Sequence, residues 1–165
     1  MPANYLEQLA AEWYEFKGFF VRRNIKVGRR DRGGWDGELD VVGFNPVTQH
    51  LVHVEASMDA DTWQERERRF RRKFEMGNTH IRGIFPGLEL SEQPEQIALL
   101  GYGSTAGRAL LGGARLLSAA DFVGQIVGEL RSQRLGRSAI PEDKPILRTL
   151  QYVCEARLVV VELLK

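Results

Sequence analysis

Apolar residues recur three or four apart at Leu6, Leu9, Ala10, Trp13 and Phe16, with Glu7, Gln8, Glu12 and Glu15 mostly on the other faces. That spacing predicts an amphipathic helix over 4–17, ended by Gly18. Residues 19–27 read as a strand that turns basic, and 28–37 as a flexible loop with glycines near its end. A hairpin follows, with strands over 38–44 and 50–57 joined by the turn Asn45-Pro46-Val47-Thr48. Asp61 or Thr62 is placed to cap a helix that runs to about Met76, where Gly77-Asn78 supplies a stop. Beyond it, 80–85 reads as a short strand closed by Pro86-Gly87, and 114–117 as another. A helix over 118–133, a linker over 134–141 and a final helix over 143–163 complete the chain. The order is α/β: helix, three strands, helix, strand, then a mainly helical tail.

Within this pattern the strands of the hairpin carry acids. Gly37-Glu38-Leu39-Asp40-Val41-Val42 and Leu51-Val52-His53-Val54-Glu55-Ala56-Ser57 place carboxylates among valines and leucines. An ionised carboxylate taken out of water must be paired, metal-bound or neutralised. Residues two apart share a strand face, so Glu38 and Asp40 point one way, and His53, Glu55 and Ser57 line one face of the next strand. Asp40 and Glu55, with the Ala56 carbonyl between Glu55 and Ser57, form a hard oxygen-donor set suited to Mg2+ or Mn2+. The plainer reading pairs these acids with arginines as salt bridges.

Composition limits the picture without changing it. The chain has 165 residues, is 43% hydrophobic and carries a net charge of +1, which suits one domain of about 1–165, with a core over 4–118 and a helical extension over 119–165. The near-neutral total hides a basic cluster, Arg22, Arg23, Lys26, Arg29, Arg30 and Arg32, opposed locally only by Asp31. These six are the expected nucleic-acid-binding residues, acting on phosphates rather than bases, because no base-reading motif accompanies them. Trp35 reads as a core or loop anchor, with base stacking as the alternative. The second helix is also arginine-rich, but Glu65 with Arg69 and Glu67 with Arg71 are spaced to pair along it. The lone Cys154 fits a buried position and a reducing compartment. No apolar run is long enough for a membrane span and no leader pattern opens the chain, so a cytoplasmic location without membrane contact is expected. The apolar last helix is expected to close the core or to form a homodimer contact.

The residues Glu7, Ala10-Ala11, Lys17-Gly18-Phe19, Gly37-Glu38-Leu39-Asp40 and Val54-Glu55-Ala56-Ser57 together resemble the PD-(D/E)xK nuclease superfamily, and within it the YraN-type group related to archaeal Holliday-junction resolvases. The resemblance covers about residues 4–85. It implies a restriction-endonuclease-like αβββαβ core with a mixed sheet flanked by helices, and magnesium-dependent hydrolysis of DNA. It also implies Asp40 and Glu55 as metal ligands, the Ala56 carbonyl as a third donor, and Glu7 reaching in from the first helix. Glu38 is a second acidic candidate.

One position departs from that pattern: the lysine of Glu-x-Lys is Ser57 here, and a hydroxyl cannot replace a charge beside developing phosphoryl charge. Three readings follow. A cation from the second helix fills the role, with Lys73 the only lysine there and Arg66 or Arg69 as alternatives. Or His53 acts as metal ligand or proton carrier, against the plainer reading of a hydrogen-bonded strand histidine. Or turnover is lost and the fold serves as a module that binds nucleic acid or a protein. A dinucleotide-binding turn over 101–107 with Asp121 as ribose acid is a weaker competitor.

Overall fold

The computed structural model describes residues 4–88, 90, 93–103 and 105–164. Two compact units divide the chain, Met1–Ala119 and Ala120–Lys165. The first opens with α1 (Tyr5–Phe16), whose first turn is capped where the Asn4 side chain accepts the Leu6 N–H at 3.0 Å. Strands β1 (Phe20–Arg29), β2 (Trp35–Asn45) and β3 (His50–Ser57), helix α2 (Trp63–Ile84) and strand β4 (Glu95–Leu100) follow, then β5 (Leu110–Leu111) and β6 (Ala114–Ser118). The six strands form one mixed sheet ordered β1-β2-β3-β4-β6-β5. Neighbours among β1, β2 and β3 run antiparallel, whereas β4 is parallel to both β3 and β6. The parallel step from β3 to β4 requires a crossover, and α2 supplies it.

The register pairs Val42 with His53, so both face the side where His53 meets Phe74 of α2 edge-on, with ring centroids 5.2 Å apart. Gly43 faces the other way, onto Phe19, which meets Tyr14 of α1 edge-on. The two helices therefore cover opposite faces of the sheet. Val42, Phe44, Leu51, Ile81, Ile84 and Phe85 form one buried cluster, and Phe70, Phe74, Ala98, Leu100 and Leu116 belong to a second.

Three sequence expectations need correction here. The stretch 28–37 is mostly strand: β1 continues to Arg29 and β2 starts at Trp35, leaving a tight turn closed by the Arg30 N–H to the Gly34 carbonyl. Trp35 is an exposed strand residue, 44% accessible, and not a core anchor. Most consequential, α2 does not stop at Gly77 but runs through 80–85, so the short strand expected there is the helix's last turn and the Phe85 that follows it. A mid-helix glycine costs only about 1 kcal/mol, and its absent side chain here serves a neighbour, as the site shows.

The described part of 101–107 leads into the β5–β6 hairpin rather than a helix, which removes the dinucleotide-binding turn. The second unit holds α3 (Ala119–Leu130), α4 (Leu135–Ser138), α5 (Pro145–Glu155) and α6 (Arg157–Leu163). The single final helix expected over 143–163 is two, broken at Ala156. Leu147, Gln151 and Cys154 are its buried residues, while Leu158, Val161 and Leu164 are exposed. Gln151 ties the unit together, accepting the Ile140 N–H at 2.9 Å and donating to the Ser138 carbonyl at 2.9 Å. Among the described residues no helix is long and apolar enough to cross a membrane.

Candidate active site

The ladder between β2 and β3 ends at Val41 and Val54. The next pair in that register would be Asp40 and Glu55, and there side chains replace the backbone bonds. The Asp40 N–H donates to Glu55 Oε1 at 3.3 Å, and the Ala56 N–H donates to Asp40 Oδ2 at 2.9 Å. Each acid thus bridges the gap where the two strands part, which is how buried backbone donors stay satisfied. Asp40 is 5% and Glu55 0% accessible. The N–H and C=O of a strand residue point to the same side, so the Ala56 carbonyl also faces this gap.

Helix α2 brings the cation. A capping box fixes its start: Thr62 Oγ1 accepts the Glu65 N–H while the Glu65 carboxylate accepts the Thr62 N–H. That use of Glu65 explains why it does not take the expected pairing with Arg69, whereas Glu67 and Arg71 do pair, at 2.7 Å. The buried stripe Arg66, Phe70, Phe74, Gly77 and Ile81 turns one face of α2 onto the sheet, and Lys73 lies beside that stripe. Its Nζ donates to Asp40 Oδ1 at 2.7 Å and to Glu55 Oε2. Of the three cations considered on this helix, Lys73 is the one in contact with both acids. Arg69 Nη2 instead donates to Ser57 Oγ at 2.5 Å, and its Nη1 pairs with Asp59 and Asp61, both at 2.7 Å. Arg66 is buried and donates to the Asp59 carbonyl at 2.9 Å. Ser57 therefore belongs to an anchor of the loop between β3 and α2.

The electrostatics follow from this packing. Burial, then the charge of Glu55, push the Asp40 carboxyl up to about 8 against the opposing pull of Lys73. Burial also works to raise Glu55, but the His53 hydrogen bond and the charge of Lys73 outweigh it and hold Glu55 below the usual carboxylate range. Burial would lower Lys73, yet Glu55 and Asp40 keep it above the ordinary lysine value. With Asp40 held up by burial, the Glu55 carboxylate and the Lys73 ammonium are the charged pair at the strand gap, and a cation bound there would draw the proton from Asp40.

Glu7, half-buried on α1, is raised chiefly by burial and feels the charges of Lys73, Glu55 and Glu38, so the first helix does bring an acid into range of the site. His53 is 0% accessible, and its Nε2 lies 2.6 Å from Glu55 Oε1. Helical spacing offers Arg69 for the Ser57 position, which it does contact, but nothing in the sequence signals the part of Asp59 and Asp61 in that anchor or the place of Gly77. The only available hint was a glycine inside an otherwise uninterrupted helical stripe.

The basic cluster lies on β1, the strand beside β2, where Arg23 pairs with Val41 and Lys26 with Glu38, and on the turn that follows. Arg22, Arg23, Lys26, Arg29, Arg30 and Arg32 are all exposed along the β1–β2 hairpin and its turn. Arg30 pairs with Asp36 at 2.8 Å, and Arg22 donates to the Ile84 carbonyl at 3.2 Å.

No protein-family model and no curated protein matches this chain. The site must be interpreted from its own chemistry. Among the described residues, no group of three or more histidine, cysteine, aspartate or glutamate side chains is arranged to hold a metal ion. The donors at the strand gap number two carboxylates and one carbonyl, and magnesium commonly binds through one or two carboxylates and keeps several waters. That set fits Mg2+ or Mn2+ and does not fit zinc, which prefers nitrogen and sulfur.

Proposed function

We propose that the protein is a magnesium- or manganese-dependent endonuclease of the PD-(D/E)xK type that hydrolyses DNA phosphodiester bonds. The observation that carries this reading is Lys73 on α2, in contact with both Asp40 and Glu55 where the expected strand position holds Ser57. A cation is present at the acids although it comes from a different element. Asp40, Glu55 and the Ala56 carbonyl would hold the metal, which when bound would polarise the phosphate and acidify a water. Lys73 would contribute a positive charge beside the scissile phosphate, stabilising charge as it develops. Glu7 would add acidic potential at the edge of the site, and the αβββαβ order supports the same family.

Calorimetric titration with manganese in the absence of DNA tests the metal half of the proposal. The natural protein is expected to bind Mn2+ and to gain thermal stability, about 2.7 kcal/mol when the ion is at a hundredfold excess over Kd. Asp40→Ala should lose both responses. Unchanged binding in Asp40→Ala would remove the site. A gel assay on single-stranded, duplex and branched DNA with magnesium then tests turnover.

A second reading, a nuclease-fold protein that binds DNA without cutting it, is favoured by the lack, among the described residues, of a third acidic or histidine ligand at the acids. It requires DNA binding that is indifferent to magnesium. Both readings use the exposed hairpin as the phosphate-binding surface. Replacing Arg29, Arg30 and Arg32 together with alanine is expected to weaken DNA binding and lower its slope against salt by about three, near one counterion per lost contact. Thermal stability should hold, because these side chains are exposed. An unchanged slope in a salt titration would take the hairpin off the DNA surface.

A further inference from the structure

We infer that His53 is a positioning residue for Glu55, neither a metal ligand nor a proton carrier. The inference rests on the nuclease reading and specifies what holds its buried carboxylate. Either of the other roles needs a ring nitrogen directed at the site or at water. Nε2 is committed to Glu55 Oε1 at 2.6 Å. Nδ1 is buried and has no hydrogen-bond partner among the described residues. It is walled off by α2, because a Cβ built at Gly77 would collide with His53 Nδ1 and Cε1. The edge of Phe74 closes another side of the ring.

Glu55 accepts, so this hydrogen bond needs the ring proton on Nε2, and Nδ1 is the nitrogen turned to Gly77. The glutamate's last torsion is intrinsically soft. Two donors remove that freedom: His53 Nε2–H and the Asp40 N–H both bind Oε1, which directs Oε2 at Lys73. The fold leaves a buried nitrogen unpaired and a helix position without a side chain in order to keep the ring there. A merely space-filling residue would require neither.

Two replacements separate hydrogen-bond reach from bulk. A glutamine amide nitrogen extends about as far as imidazole Nε2, while an asparagine amide nitrogen extends only as far as Nδ1. His53→Asn in the full chain is expected to weaken Mn2+ binding by about ten- to a hundredfold, the usual effect of losing a ligand's hydrogen-bond partner. His53→Gln should recover most of that affinity. Cleavage should fall in kcat with the KM for DNA unchanged. Because His53→Asn also opens a void, Gly77→Ala provides a second test that adds an atom instead. It should reduce Mn2+ affinity in the natural background and have little effect beside His53→Gln, whose slimmer side chain can yield. Equal Mn2+ affinity in the natural, Gln and Asn proteins would overturn the role of His53 and leave the nuclease reading intact. No Mn2+ binding by the natural protein would overturn both.

Discussion

Lys73→Ala is expected to lower magnesium-dependent DNA cleavage by about 10²–10³-fold, the scale of losing one preorganised charge at a transition state. Mn2+ binding should persist or tighten, since the ammonium that contacts Asp40 and Glu55 no longer competes with the ion. Single-turnover rates with saturating metal measure the first effect and calorimetry the second. Undiminished cleavage would exclude Lys73 from the chemistry. Ser57→Lys offers a rescue, but Ser57 is already held by Arg69 at 2.5 Å, and a second cation there would meet the first. Restoration is therefore expected only when Arg69→Ala accompanies Ser57→Lys. Cleavage regained by Ser57→Lys alone would mean that the Arg69 anchor yields easily.

The sequence exposed the parts of the fold that depend on period. The 3.6-residue recurrence in α1 and the alternation in β2 and β3 survive in the structure because burial acts on one face at a time. Two acids among valines were visible for the same reason, and their shared face is the one that meets α2. Longer-range features were hidden. Lys73 is 18 residues from Glu55 and 33 from Asp40, and only the angle at which α2 crosses the sheet decides that it, rather than Arg66 or Arg69, reaches them.

Gly77 shows the limit most clearly. Read locally, Gly77-Asn78 is a helix stop, and a strand over 80–85 follows from that reading. In three dimensions the glycine makes room for the His53 ring, and the helix continues to Ile84. A tertiary contact overrode a local signal whose intrinsic cost is only about 1 kcal/mol. Residues 28–37 differ from the local signal for a related reason: their glycines suggest irregular chain, but pairing with the opposite strand extends the hairpin to Arg29 and Trp35.

Glu55→Ala is expected to be the most destabilising single change at the site. Glu55 is fully buried, and its carboxylate accepts from His53, from the Asp40 N–H and from Lys73. Removing it leaves three donors without that partner and a cavity beside His53, and breaking a buried ion pair from one side typically costs about 3–5 kcal/mol. A domain of this size has only about 5–15 kcal/mol in total, so the urea midpoint should fall steeply, and Mn2+ binding should go with it. The double variant Glu55→Ala with Lys73→Ala should be more stable than the sum of the two single losses predicts, by about 1–3 kcal/mol, because the second change removes an ammonium already deprived of one partner. Strict additivity in that cycle would mean that Glu55 and Lys73 do not act as a pair, and the electrostatic account of the site would fail.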